Sequence, residues 1–169
     1  QHAGRQFAGG LDVGGHGHPL EEFRIGEGHH ADHVAVGVSC GGVWRTSDRG
    51  KSWRVGAQGM RAAYMPPDMQ FDPVVQDPHM VVQCPSAPDV FWTQHHNGIF
   101  RSIDGAATFK EIKKVSPSTF GFAVAAHPKD PKTAWFVPGV QDVQRIPVDG
   151  RLVVTRTRDG GRSFEALGT

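Results

Sequence analysis

One short turn pattern occurs three times along the chain and constrains its fold more than any other feature. It lies at residues 46–53, 102–109 and 157–164, and each copy places an Asp two positions after a Ser or Thr and ends on an aromatic residue. The aspartates, Asp48, Asp104 and Asp159, are spaced by 56 and 55 residues. Each copy separates two short runs with strand-like alternation, which predicts a hairpin turn. A regular repeat of this length predicts an array of similar β-sheets.

The residue types of the repeated turn suit a structural role. An Asp side chain accepts hydrogen bonds from backbone N–H groups in a turn, and Gly supplies a positive φ. The closing aromatic residue is expected to pack between neighbouring sheets. In the second copy Ala106 and Ala107 follow Gly105 where the pattern has a further Gly, so this turn is expected to differ slightly. We assign the three aspartates no catalytic role.

Working outward from the turns predicts three units of four strands each. The predicted strands are residues 23–27, 33–38, 42–47 and 52–55, then 79–84, 89–94, 98–103 and 108–112, then 122–127, 133–138, 151–157 and 163–167. With 22 Gly and 12 Pro favouring short strands and turns, the sequence predicts an all-β protein. Residues 1–21 are expected to form an irregular lead-in and 22–169 a single domain. Its units span about residues 22–56, 79–112 and 122–167, with an enlarged loop at 139–150.

The three turns resemble the Asp-box, S/T-x-D-x-G-x-T/S-W/F, of the sialidase-like or BNR-repeat superfamily, which includes the sortilin-type propellers. Residues 94–102 and 126–135 are also similar to bacterial BNR-repeat proteins that carry the label glycosyl hydrolase. The resemblance covers roughly residues 22–169 and implies a β-propeller fragment of three four-stranded Asp-box blades. Closed propellers have about 4 to 8 blades, and three would leave unpaired faces and edges. We therefore expect a homodimer that completes a six-blade ring.

Charge and composition exclude several classes of partner. The chain has 18 basic and 17 acidic residues and no stretch of five or more like charges, which argues against nucleic acid and against a membrane surface. No apolar run approaches the roughly 18 to 20 residues of a spanning helix. The two cysteines, Cys40 and Cys84, are expected at opposite ends of their sheets and therefore unpaired. Unpaired thiols fit a soluble protein and favour the cytoplasm.

Strand order sorts the histidines between the two ends of a propeller. The loops that enter each innermost strand, and those that join the second strand to the third, emerge at the end opposite the repeated turns, which we call the open end. Five histidines are expected there: His16, His18, His79, His95 and His96. Converging imidazoles suit a borderline divalent ion, most simply Zn²⁺. The spacing matches no known metal signature, and the alternative is that these are polar surface or turn residues.

A metal at the open end would support hydrolysis. Asp72, Asp77 and Asp142 are available as carboxylate ligands or bases, and a metal-bound water could attack an ester or phosphoester. The leading hypothesis is therefore a metal-dependent hydrolase acting on a small molecule.

The family resemblance implies a second hypothesis, a glycan-binding or glycoside-hydrolase module. Sialidase chemistry needs an arginine triad and a Tyr nucleophile with a Glu partner. Tyr64, the single tyrosine, and Arg61 are expected at the open end, but their loop contains no Glu, which favours Tyr64 as a lid or subunit contact. The third hypothesis is a propeller segment that binds a partner without catalysis, because fold does not dictate function.

Overall fold

The computed structural model describes residues 32–167, which form three antiparallel β-sheets one after another along the chain. Together the sheets contain twelve strands, with a single 3-10 turn as the one helical element among these residues. This confirms the predicted all-β class. The predicted strand at 23–27 and the lead-in at 1–21 lie outside the described residues.

The first sheet has three described strands in the order β1-β2-β3. They are β1 (Val34–Val38), β2 (Gly42–Thr46) and β3 (Arg54–Val55). The first repeated turn joins β2 to β3, as predicted.

The second sheet has four strands in consecutive order, β4-β5-β6-β7. They are β4 (Pro78–Cys84), β5 (Ala87–His95), β6 (Gly98–Ser102) and β7 (Lys110–Ile112). Pro78 pairs with His95, and His95 pairs in turn with Gly98. This register places the start of β4 and the β5–β6 turn side by side at one end of the sheet, and the candidate site lies there.

The third sheet differs from the prediction in its middle. Its elements are β8 (Gly121–Ala126), β9 (Ala134–Gln141), β10 (Gln144–Pro147), the 3-10 turn Val148–Gly150, β11 (Val154–Thr157) and β12 (Glu165–Leu167). Residues 139–150 are not simply a loop, because β9 continues to Gln141 and β10 folds back along its end. As a result β11 begins at Val154, three residues later than expected.

Two hydrophobic clusters fill the junctions between successive sheets. Between the first and second sheets lie Val43, Ala57, Met60, Phe91, Phe100, Ala106 and Phe109. Between the second and third lie Cys84, Val90, Trp92, Ile99, Val124, Ala134 and Phe136. Alternate residues of the second sheet enter opposite clusters, so both faces of this sheet are buried.

The three repeated turns share one hydrogen-bond pattern. In each, one carboxylate oxygen of the Asp accepts the backbone N–H four residues later at 2.9–3.0 Å, and the other accepts the hydroxyl of that same residue at 2.6 Å. These bonds lower the pKa of Asp159 to about 2. The expected difference in the second turn is small: Ala106 adopts a φ of 63°, close to the 80° and 90° of Gly50 and Gly161, and its N–H makes the equivalent bond.

The closing aromatic residues do not all pack between sheets. Phe109 is 4% exposed and lies in the cluster against the first sheet, and Phe164 packs against the cluster between the second and third. Trp53 is 41% exposed, contrary to expectation. Phe109 and Phe164 both pack toward the preceding sheet, and the described residues contain no sheet before the first one.

Candidate metal-binding site

Asp77, His79 and His96 converge at the open end of the second sheet. Asp77 directly precedes β4, His79 is its second residue, and His96 lies in the β5–β6 turn, where its N–H donates to the Asp77 carbonyl at 2.9 Å. One ligand atom from each residue lies within 4.8 Å of the other two. Oδ2 of Asp77 is 3.3 Å from Nδ1 of His96 and 3.8 Å from Nε2 of His79. Zinc bonds of about 2.0–2.1 Å at tetrahedral angles put ligand atoms about 3.3 Å apart, so the cluster needs little rearrangement to hold an ion.

A contact with the third sheet fixes the orientation of His79. Its Nδ1 lies 2.7 Å from the carbonyl oxygen of Gly121, and because a carbonyl only accepts, Nδ1–H is the donor. In the neutral ring the lone pair is therefore on Nε2, which faces Asp77. Phe122 stacks on the ring, with centroids 4.6 Å apart and planes 12° from parallel. An imidazole held through one nitrogen with the other left free is the usual state of a metal-binding histidine.

His96 is held from its far side by a carboxylate. Its Nδ1 faces Asp77, while its Nε2 lies 3.4 Å from Oδ2 of Asp142, in the turn between β9 and β10. Asp142 is itself bound by Arg145, whose Nε donates to Oδ1 at 3.1 Å. The bond from Arg145, with a smaller contribution from His96, lowers the pKa of Asp142. Asp142, expected as a ligand or base, lies on the side of His96 away from Asp77, where a carboxylate orients the ring.

The first sheet holds the other oxygen of Asp77. Its Oδ1 accepts the hydroxyl of Ser39 at 2.8 Å and the N–H of Cys40 at 3.2 Å, both in the β1–β2 turn. Asp77 is 8% exposed, so a carboxylate charge here requires compensation from polar partners. Only Oδ2 faces the two imidazoles. All three sheets therefore contribute to the arrangement of this cluster.

His95, expected among the metal ligands, points away from the other two imidazoles. It is fully buried, its ring packs edge-on against Phe100 at 5.1 Å, and its Nε2 accepts the N–H of Asp77 at 3.0 Å. Burial lowers the pKa of His95 to about 3, which keeps the ring neutral. Its contact supports the backbone of Asp77 and leaves that nitrogen engaged. The other two expected ligands, His16 and His18, lie outside the described residues.

Tyr64 forms one wall of the site. Its hydroxyl donates to the carbonyl of Val75 at 2.9 Å, and its ring packs edge-on against His96 at 4.9 Å. Partial burial, with a further contribution from the charge of Asp77, raises its pKa above the ordinary value for tyrosine. A phenol with a raised pKa is a poor nucleophile, so this position suits the predicted packing role.

Arg61 and Asp72 have other partners. Arg61 lies 3.4 Å from Oε1 of Glu111 on β7. Asp72 accepts the N–H of Val74 at 3.0 Å within its own loop. Neither belongs to the cluster of Asp77 with the two imidazoles.

Both cysteines are free thiols, as expected. Cys40 is exposed, and partial burial together with the nearby charge of Asp77 raises its pKa. Cys84 is buried, and its thiol donates to the carbonyl of His127 at 3.2 Å. Cys40 is near the site, while Cys84 is part of the core.

Sequence reasoning missed the aromatic surroundings of the cluster. Phe120, which is buried, packs edge-on against His79 at 5.9 Å and His96 at 6.3 Å, and Phe122 stacks on His79. Both phenylalanines enter from the start of β8. The alternating Phe-Gly-Phe at residues 120–122, at the start of a predicted innermost strand, was the available signal.

No family model matches this chain, and no curated protein matches it. Solved structures do. An ancestral GH74 enzyme matches with a TM-score of 0.57 at 14% identity, over 85% of this chain and 17% of that one. YCF48 bound to D1 peptide matches with a TM-score of 0.51 at 16% identity, over 80% of this chain and 36% of that one. The chain thus spans less than half the length of either.

Both neighbours are β-propellers, and the likeness establishes the fold of this chain. The three sheets form a partial, propeller-like all-β arrangement. Among residues 32–167, no helix is long and apolar enough to cross a bilayer.

Proposed function

We propose that the open end of this propeller segment holds a divalent metal ion, most simply Zn²⁺, and uses it for hydrolysis. The observation that supports this is the approach of Asp77, His79 and His96 to within 4.8 Å. Two imidazole nitrogens and one carboxylate oxygen are a donor set that Zn²⁺ accepts. The second nitrogen of each ring is held, in His79 by the Gly121 carbonyl and in His96 by the Asp142 carboxylate. The flanking aromatic rings lower the local polarity, which strengthens the attraction between cation and ligands.

Three protein ligands leave a fourth tetrahedral position open, as in catalytic zinc sites. A bound metal would supply a water of lowered pKa as the nucleophile for hydrolysis of an ester or phosphoester. In this proposal Asp77 is a ligand, and Asp142 orients His96. An ester or phosphoester of a small molecule is the substrate class.

Metal content and hydrolysis test this function together. Purified protein is expected to bind one Zn²⁺ per chain by elemental analysis, and His79→Ala and His96→Ala are expected to bind none, because each removes a ligand. His127→Ala is the matched control, since His127 follows β8 at the opposite end of its sheet from Gly121. Hydrolysis of aryl phosphoesters and carboxyl esters should disappear with chelator and return with Zn²⁺. A wild-type protein that takes up no Zn²⁺ refutes the site, whereas zinc binding without hydrolysis refutes only the chemistry.

A second candidate function is saccharide binding or cleavage. Tyr64 and Phe122 are 43% and 46% exposed beside the cluster, and the Arg145 guanidinium lies 5.6 Å over the ring of Phe122. Exposed aromatic faces with a neighbouring Arg suit an acidic sugar. The resemblance of the three repeated turns to the Asp-box and the likeness to a GH74 enzyme favour the same class. Sialoside hydrolysis that survives chelation and is lost in Tyr64→Phe would favour this candidate.

We also propose that a second copy completes the ring. Within residues 32–167 no sheet precedes the first one, Trp53 beside it is exposed, and closed propellers have about 4 to 8 blades. Light scattering is expected to give the mass of a dimer, and Trp53→Asp is expected to give a monomer, because a charge there opposes burial. A wild-type monomer at micromolar concentration contradicts this proposal.

A further inference from the structure

A second site lies at the opposite end of the strands, at the junction of the second and third sheets. It is a cavity of about 280 Å³ beside the third repeated turn. Its lining residues are Arg101, Lys132, Arg158, Asp159, Gly160 and Arg162. Four cationic side chains and one carboxylate face this space, and we call it the basic pocket.

Arg101 on β6 is the most enclosed of these cations. Its Nη2 donates to the carbonyl of Pro131 at 3.2 Å, and its guanidinium lies 5.1 Å from the centre of the Trp92 ring. The buried Nε has no hydrogen-bond partner, and among residues 32–167 no carboxylate lies within 4.0 Å of this side chain. Burial lowers the pKa of Arg101, and the charge of Asp130, which makes no ion pair with it, offsets this shift only in part.

The other lining charges leave the pocket positive. Lys132 and Arg162 are exposed and make no ion pair within the described part of the chain. Arg158 lies 3.2 Å from Glu165, which is shared with Arg156 at 2.6 Å. The carboxylate of Asp159 accepts hydrogen bonds within its own turn, from the backbone N–H of Arg162 and from the backbone N–H and hydroxyl of Ser163. Asp159 keeps its charge, because these bonds come from neutral donors, but neither Asp159 nor Asp130 lies within 4.0 Å of the Arg101 side chain.

A glycine keeps the pocket open. Gly160 has a φ of 76°, and a Cβ at this position would lie 3.1 Å from a guanidinium nitrogen of Arg101. Its N–H donates to the carbonyl of Lys132 at 3.0 Å, which holds the β8–β9 loop against the third turn. The backbone of two loops thus forms a fixed frame around the cationic groups.

We propose that the basic pocket binds a tetrahedral oxyanion, a phosphate or sulfate group, either free or as the ester of a small molecule. Guanidinium groups present parallel N–H donors that match two oxygens of such an anion, and a bound oxyanion supplies the charge that Arg101 lacks. The bond to the Pro131 carbonyl and the Trp92 face hold Arg101 in place, so little side-chain entropy is lost on binding. This site is independent of the proposed metal site.

Titration calorimetry with inorganic phosphate and with sulfate, at constant ionic strength set with chloride, tests the proposal. We expect saturable binding of one anion per chain, weakened about tenfold or more in Arg101→Gln and in Arg162→Gln, because each removes a charge-assisted hydrogen bond. Arg162 is exposed, so its variant stays informative if Arg101→Gln fails to fold. Arg151→Gln, an exposed Arg outside the pocket, is the charge-matched control.

The outcomes separate a built site from general electrostatics. Equal weakening in Arg151→Gln, or no saturable binding at millimolar anion, overturns the proposal. Selective loss in the two pocket variants supports it. Aryl phosphate and aryl sulfate monoesters are then compared in the same assay with the inorganic anions. Tighter binding of a monoester indicates that the natural ligand is an ester, and tighter binding of the inorganic anion indicates that it is the free ion.

Discussion

The Asp77→Asn variant is expected to lose more than about 100-fold in zinc affinity while keeping its fold. Replacing a residue that hydrogen-bonds to a metal ligand typically lowers the metal affinity about 10- to 100-fold. The loss of a charged ligand is expected to lower it further. The amide oxygen of Asn still accepts the bonds from Ser39 and Cys40 that Oδ1 of Asp77 accepts, so the β1–β2 turn keeps its anchor. Competition with a chelating dye measures the affinity, and thermal unfolding without metal measures the fold.

Two other aspartates provide graded controls. Asp142→Asn is expected to weaken zinc binding about 10- to 100-fold, because it removes the charge that orients His96 without removing a ligand. Asp72→Asn is expected to change nothing, since Asp72 bonds only within its loop. Wild-type affinity in Asp77→Asn, or equal effects in all three variants, would show that Oδ2 of Asp77 is not a ligand.

The repeat made the fold readable from sequence. Period-two alternation identifies strands, and a turn that recurs with a fixed chemistry sets their register, so β2, β6 and most of β8 lie where predicted. The β9–β10 hairpin was missed because its pairing depends on a loop that has no counterpart in the other two units. A repeat predicts the strands that all units share, but it carries no information about an insertion that occurs in only one unit.

Strand order predicted where the candidate site lies better than it predicted which residues belong to the site. It placed His79 and His96 at the same end of the second sheet, and the centroids of the two rings lie 5.4 Å apart there. His95 was grouped with them although adjacent residues of a strand point to opposite faces. Because Phe91 and Phe100 face the first sheet, alternation along β5 would have directed His95 to that side as well. The contact of Asp142 with His96 depends on the β9–β10 turn, whose conformation no periodicity encodes.

The Phe109→Ala variant is expected to lose about 3–5 kcal/mol of unfolding free energy, the usual cost of deleting a buried Phe side chain. Phe109 is 4% exposed, and its N–H donates to the carbonyl of Gln58 at 2.7 Å, so the cavity would open at the junction of two sheets. Urea unfolding monitored by Trp fluorescence measures the difference.

Trp53→Ala is the matched control, because Trp53 closes the first repeated turn as Phe109 closes the second. With 41% of its surface exposed, its loss is expected to cost about 1–2 kcal/mol, less than that of Phe109, since only part of its area leaves water and no enclosed cavity forms. The same pair of variants also bears on the dimer. If a second copy covers the first sheet, the cost of Trp53→Ala should rise with protein concentration while that of Phe109→Ala stays constant, because only the former would act through association. Equal costs for both variants at high dilution would mean that burial of the aromatic side chain does not set its contribution to stability.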